Sequence, residues 1–295
     1  METFLARILP RSRPCILATL QAVWLVMTLF NASGPARRSR ATRLPIQFGG
    51  FTLLCVAWPA WANLTAEDGL ARDLDNNRLL YREAHLIRRE GERTVERLVL
   101  YRCPSGVAFA RKRVDYRGSA LAPEFDMVDV RGYREGLRRE GGRALLWTET
   151  KPAKALAATK SPFVADAGFD EFMRQQWAPL TAGRPQPLAF AVPAYGRTLP
   201  LKVRSTGTLA RGGDRLHRFE LRFDGLLGMV ASSIRVEYDA QNQRLRRFTG
   251  LTNVRDADGE QIEAQIDFPQ SARPADAQRW QDALTEPLVR CTIGG

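Results

Sequence analysis

Two histidines, His85 and His217, are the side chains of this chain best suited to moving a proton near neutral pH. His85 sits in Tyr81-Arg82-Glu83-Ala84-His85-Leu86-Ile87, where a period of two places Tyr81, Glu83, His85 and Ile87 on one face of a strand. Same-face neighbours stand about 7 Å apart along a strand, so a direct Glu83–His85 hydrogen bond is not assured. The residue types still suit general acid–base chemistry, with a carboxylate to orient the imidazole and Tyr81 as a further proton donor. The bland reading, a buried polar patch inside a sheet, is the favoured one, because nothing marks a serine as a nucleophile. His217 shares its face with Phe219, Leu221 and Phe223, the pattern of a core histidine. HExxH, CxxC, GxGxxG, P-loop and GxSxG are all absent. The sequence therefore assigns no catalytic residue, no metal and no cofactor, although a Ser–His–Asp arrangement needs no proximity along the chain. A zinc site would have to gather His85, His217, Cys103 and Cys291 from distant segments. Asp256-x-Asp258-Gly259 lacks the third ligand and the distant glutamate of a calcium loop and reads as a hairpin turn.

The elements that must position these residues are strands. Ile262, Ala264, Ile266 and Phe268 alternate with Gln261, Glu263, Gln265 and Asp267; Ile234-Val236-Tyr238 and Leu199-Leu201-Val203 do the same. One dry face and one wet face suit an antiparallel sheet. Turn signals such as Glu140-Gly141-Gly142 and Arg211-Gly212-Gly213-Asp214 punctuate the strands. The reading is a mainly β protein: about a dozen short strands between Leu79 and Phe268, in an antiparallel sandwich or half-barrel, with one amphipathic covering helix. That helix carries Phe169, Phe172, Met173, Trp177 and Leu180, has Asp166, Asp170 and Glu171 near its start to suit the dipole, and is expected to end at Pro179. A second short helix fits Ala275 to Leu284. Lys151 to Pro162 reads as an exposed loop or flap, which could divide one β-rich domain (63–295) into units of about 77–150 and 185–268. A curved sheet under a helix can enclose an apolar cavity. Phe169, Phe172, Met173 and Trp177 are the candidates to line it, with a lipid or apolar small molecule as the partner.

Charge and targeting bound the setting. The chain has 295 residues, 44 Lys+Arg against 32 Asp+Glu and a net charge of +12, which excludes a disordered chain, a collagen and a multi-span membrane protein. Between Arg78 and Arg117 eleven basic residues face five acidic ones. Arg88, Arg89, Arg93, Arg97, Arg111, Lys112 and Arg113 could form a basic hairpin face for an anionic envelope surface. The alternative is an ordinary solvated face in an arginine-rich chain. Nucleic acid is not expected, since no binding motif is present. Residues 1–62 read as a signal or targeting region. Phe51 to Trp58 is a short apolar core flanked by Arg37, Arg38, Arg40 and Arg43, and Ala60-x-Ala62 is a cleavage site that leaves Asn63 first. The product would be periplasmic or secreted. The other apolar run, Ile16 to Phe30, is short of the ~20 residues that span a bilayer, and leaves an inner-membrane anchor as the alternative. Beyond Asn63 the cysteines are Cys103 and Cys291, and export makes them a disulfide pair.

The run Val236-Glu-Tyr-Asp239, Arg244-Leu-Arg-Arg-Phe-Thr-Gly-Leu251, Asn253, Asp256-x-x-Gly259 and Ile266-Asp-Phe-Pro269 resembles the C-terminal part of uncharacterised exported proteins of Gram-negative bacteria. Phe169-Asp170-x-x-Met173…Trp177…Leu180-x-x-Gly183 resembles the helix that precedes it. The resemblance implies the periplasm and an unknown activity, and it transfers no catalytic residue. The leading expectation is thus a periplasmic β-rich binding or envelope-associated protein. The alternatives are a structural protein that uses its basic hairpins on anionic membranes and, less favoured, a hydrolase built on His85.

Overall fold

The computed structural model describes residues 63–223, 233–291 and 293; the targeting reading of 1–62 falls outside them. Sixteen strands among the described residues form one sheet. Its middle strand is β1 (Asn63–Arg72). To one side the chain runs outward through successive hairpins: β2 (Leu79–Glu90), β3 (Arg93–Arg102), β4 (Ala108–Asp115), β5 (Glu124–Asp129), β6 (Arg134–Glu140), β7 (Arg143–Thr148) and β8 (Lys151–Ala155). To the other side lie β15 (Gln261–Asp267), β14 (Leu245–Arg255), β13 (Ile234–Asp239), β12 (Asp214–Phe223), β11 (Arg197–Arg211), β10 (Gln186–Val192) and β9 (Phe163–Ala165). β16 (Arg273–Pro274) pairs with β1 off this path. The pairs are antiparallel except β9–β10, which is parallel and makes the sheet mixed.

Local chemistry explains the hairpins. Arg211 pairs with Asp214 across Gly212 and Gly213, whose φ values of 58° and 88° only glycine adopts freely at both centres of a two-residue turn. In the β14–β15 turn Asp256 Oδ1 accepts from the backbone N–H of Asp258 and of Glu260, both at 3.0 Å, so this aspartate shapes a turn as expected.

Two expectations are corrected. The flap at Lys151 to Pro162 begins as edge strand β8, with Leu145 opposite Ala155 and Thr148 opposite Lys151. Lysines and a proline hide a strand signal, yet they are what an edge strand carries to discourage further pairing. The helix does not end at Pro179. It breaks at Gln176 into α1 (Gly168–Gln175) and α2 (Trp177–Thr181), and Pro179 lies in the first turn of α2, where no backbone donor is needed.

The sheet curls. Val114, Phe125, Leu137 and Leu146 from β4–β7 pack in one cluster with Ala165 and Ala191 from the opposite end. Lys151 Nζ donates to the Ala194 carbonyl at 2.7 Å across the same gap. α1 and α2 seat inside this curl through Phe172, Met173 and Leu180, against Val203, Phe219, Val236 and Tyr238. A third helix, α3 (Ala277–Thr285), covers the outside, with Trp280 and Ala283 on Leu86, Leu98 and Leu100. Arg88 lies 4.3 Å from the Trp280 ring centre, and Arg102 grips Glu286 with two bonds of 2.6 Å.

The Cys103–Cys291 disulfide ties the end of β3 to the tail behind α3, over a separation of 188 residues. Breaking it is expected to lower the urea midpoint, by up to about 5 kcal/mol of stability in the loop-entropy account. Unfolding of a chain starting at Asn63, with and without reductant, measures this. Alkylation of the unreduced protein should label no thiol.

Candidate functional site

Alternation places an unusual set of side chains on the inner face of the curl. On β3, Arg97 lies in the row Val95, Arg97, Val99, Tyr101; on β4, Lys112 lies between Ala110 and Val114. The register sets His85, Val99 and Lys112 side by side across β2, β3 and β4. Charged groups facing a core must be paired or change protonation. Their partners come from the segment that leads into α1.

Asp166 follows β9 with φ 44°, a left-handed conformation that aspartate tolerates better than most residues. Gly168 opens α1 where a Cβ would lie 2.0 Å from the Leu121 carbonyl oxygen, so the segment is pressed hard against the β4–β5 connection. From that position Asp166 Oδ1 accepts from Lys112 Nζ at 2.7 Å and from Asn253 Nδ2 at 2.9 Å. One turn on, Asp170 Oδ2 is 3.5 Å from Arg97 Nη2, and its Oδ1 accepts from the Tyr238 hydroxyl at 2.8 Å. Each aspartate thus joins a cation of the first half of the sheet to a donor of the second. The side chains are largely shut from water: 3% of Asp166, 10% of Lys112 and 13% of Arg97 is exposed.

Burial pushes the Asp166 carboxyl up, but Lys112, the Ala167 N–H and Asn253 hold it below the ordinary carboxylate value. Asp170 behaves likewise: burial raises it, and Arg174, Arg97 and Tyr238 bring it below its usual value. Glu135 goes the other way, raised because burial outweighs Tyr133 and Arg255. Burial also pushes the Tyr133 hydroxyl up to about 12.

Beside the cluster lie two adjoining cavities, of 220 Å³ and 420 Å³. They share seven lining residues: the polar Asp166 and Asn253, and the apolar Phe190, Leu201, Leu221, Ile234 and Leu251. The smaller adds Glu83, His85, Arg97, Lys112 and Asp170; the larger adds Glu135, Leu199 and Phe223. One wall is charged and hydrogen-bonded, the facing wall aliphatic and aromatic.

The residues singled out from sequence divide. Glu83 and His85 line the smaller cavity, and His85 Nε2 donates to Glu83 Oε2 at 2.8 Å, because the two long side chains close the gap that their backbones leave. Tyr81 is fully buried in the core below them. Thr252, the aliphatic hydroxyl on that wall, donates to the Ile262 carbonyl at 3.0 Å. Phe169 lines the cavity, whereas Phe172 and Met173 are spent seating α1. Trp177 packs edge-on to His217 and Phe219, with ring centres at 5.3 and 5.6 Å, so His217 rests on aromatic packing but is only partly buried, not a core histidine.

The basic hairpin face is not assembled as expected: Arg97 and Lys112 point inward to Asp170 and Asp166, since they share the apolar face of their strands. Arg88 pairs with Glu96, Arg89 donates to Thr65, Arg93 to the Arg117 carbonyl and Arg111 to the Ala283 carbonyl of α3; Arg113 is exposed. Asp166 and Asp170 were expected to serve the helix dipole, and Asn253 and Tyr238 stood only among turn and core residues. The available signal was a cation on an otherwise apolar strand face.

No protein-family model matches the chain, and no curated protein matches it. Among solved structures it is similar to a beta-barrel-like protein of a domain of unknown function, DUF1849, from Brucella abortus. That likeness has 13% sequence identity and a TM-score of 0.42, over 73% of this chain and 98% of the other.

Replacing Lys112 by Met leaves Asp166 buried without its cation, a change expected to cost about 3–5 kcal/mol at pH 7. The double replacement Lys112→Met with Asp166→Leu should recover much of it. The depressed Asp166 carboxyl contributes stability that is in place above the unfolded value of about 3.9 and is lost as pH falls through the lower folded value. Urea midpoints between pH 7 and pH 2 should therefore fall more steeply in the natural protein than in Asp166→Asn.

Proposed function

We propose that the protein is an exported carrier or sensor of an amphipathic small molecule, held inside the curled sheet. The observation that carries this reading is the pair of adjoining cavities with opposed walls: an apolar body would lie along Phe190, Leu201, Leu221 and Ile234, and a polar group at Asp166 and Asn253. The 420 Å³ cavity by itself falls in the range of roughly 300–1,000 Å³ typical of small-molecule sites. A periplasmic setting is supported by the Arg-flanked apolar core with Ala60-x-Ala62 and by a disulfide, which persists in oxidising compartments. Asn63 already pairs with Arg89, so cleavage after Ala62 would keep every strand pairing described above. Among the described residues no helix is long and apolar enough to cross a membrane.

The test is binding of an apolar dye that fluoresces on desolvation, together with native mass spectrometry of the protein taken from its envelope. Leu201→Phe and Leu221→Phe fill the shared space without adding a polar group and should weaken dye binding at least about tenfold while the fold survives, as overpacking beside a void is mild. Unchanged binding in both variants would place the dye elsewhere and defeat the carrier reading.

A further inference from the structure

The charged wall says what kind of polar group the cavity accepts. Asp166 Oδ1 is taken by Lys112 and Asn253, and the neighbouring Ala167 N–H also favours the charged carboxyl, but Asp166 Oδ2 is buried and makes no hydrogen bond of its own. A buried carboxylate oxygen without a donor is costly, and this one belongs to a residue that lines both cavities. The charge balance points the same way. Glu83, Asp166, Asp170, Glu135 and Glu263 line the two cavities, against Arg97, Lys112 and the His85 bonded to Glu83, with Arg255 behind Glu135. Arg97 and Lys112 are committed to Asp170 and Asp166. Arg97 Nε also lacks a partner, but its guanidinium charge is already set against Asp170.

Building on the carrier reading, we propose that the ligand's head is a protonated amine that donates an N–H to Asp166 Oδ2. Such a head would satisfy the orphaned oxygen and reduce the acidic excess at once. A carboxylate or phosphate head would meet Glu83, Asp166 and Asp170 as like charges and leave Oδ2 unpaired. A quaternary ammonium would bring the charge without a donor.

The experiment titrates the delipidated protein starting at Asn63 with four ligands that share a decyl tail: decylamine, decanol, decanoate and decyltrimethylammonium. Isothermal calorimetry at pH 7 is the readout. Decylamine should bind tightest, by about tenfold or more over decanoate and over decyltrimethylammonium, the size of effect expected from one buried charge-assisted hydrogen bond. Asp166→Asn should erase the preference for the amine, bringing decylamine and decanol to within about threefold of one another, and far-UV circular dichroism with a urea midpoint reports that the variant is folded. Decanoate binding as tightly as decylamine to the natural protein would overturn the amine assignment and leave the carrier reading standing, and that comparison needs no variant. An amine preference that survives in Asp166→Asn would overturn it too. Failure of all four ligands to bind would remove the carrier reading along with it.

Discussion

The fold turns on two buried aspartates. A sheet that grows outward from β1 in both directions has no strand pairing to hold its far halves face to face. Beside the apolar packing of β4–β7 on Ala165 and Ala191, Asp166 and Asp170 supply the buried polar link: each accepts from a cation on β3 or β4 and from a donor on β13 or β14. Ion pairs shut from water are not efficient stabilisers, since desolvation consumes much of their attraction. They are, however, demanding about geometry. An apolar contact would tolerate a range of positions for α1, whereas Lys112, Asn253, Arg97 and Tyr238 together admit one.

That requirement also shapes the cavities. Holding α1 at the charged end keeps its apolar side chains, Phe172 and Met173, on the β11–β13 side, and leaves space between Phe190, Leu201, Leu221 and Leu251 that no side chain fills. The left-handed backbone at Asp166 and the contact of Gly168 with Leu121 are local costs of the arrangement. Strain and unsatisfied polar atoms collect where a structure is organised around something other than its own stability.

The outer face is secured by different means. α3 covers the apolar side of β2–β4, Arg102 and Arg111 hold its last turn, and the Cys103–Cys291 bond anchors the tail beyond it. Several arginines of the basic hairpins are used here to clamp helix and strand termini, so a high count of arginine in the sequence translates into bonds within the molecule as much as into surface charge.

Alternation and turn chemistry were enough to expect a hairpin-built sheet and an aromatic helix against it, because each depends on residues near in sequence; the Cys103–Cys291 pair followed only once the export reading set aside Cys15 and Cys55 and left two of the four cysteines. Glu83 and His85, also near in sequence, were legible as a same-face pair. The charged wall was not. Lys112, Asp166 and Asn253 lie far apart along the chain, and only the curl brings them within hydrogen-bonding distance. Whether an arginine or lysine in a strand faces water or the interior depends on which face the sheet turns inward. With apolar residues on both faces of β3, periodicity could not choose for Arg97, and it did not reveal Lys112 on β4. Tertiary structure alone decided that the helix, seated by Phe172 and Met173, would also be fixed by Asp166 and Asp170, and hence where the cavity would open.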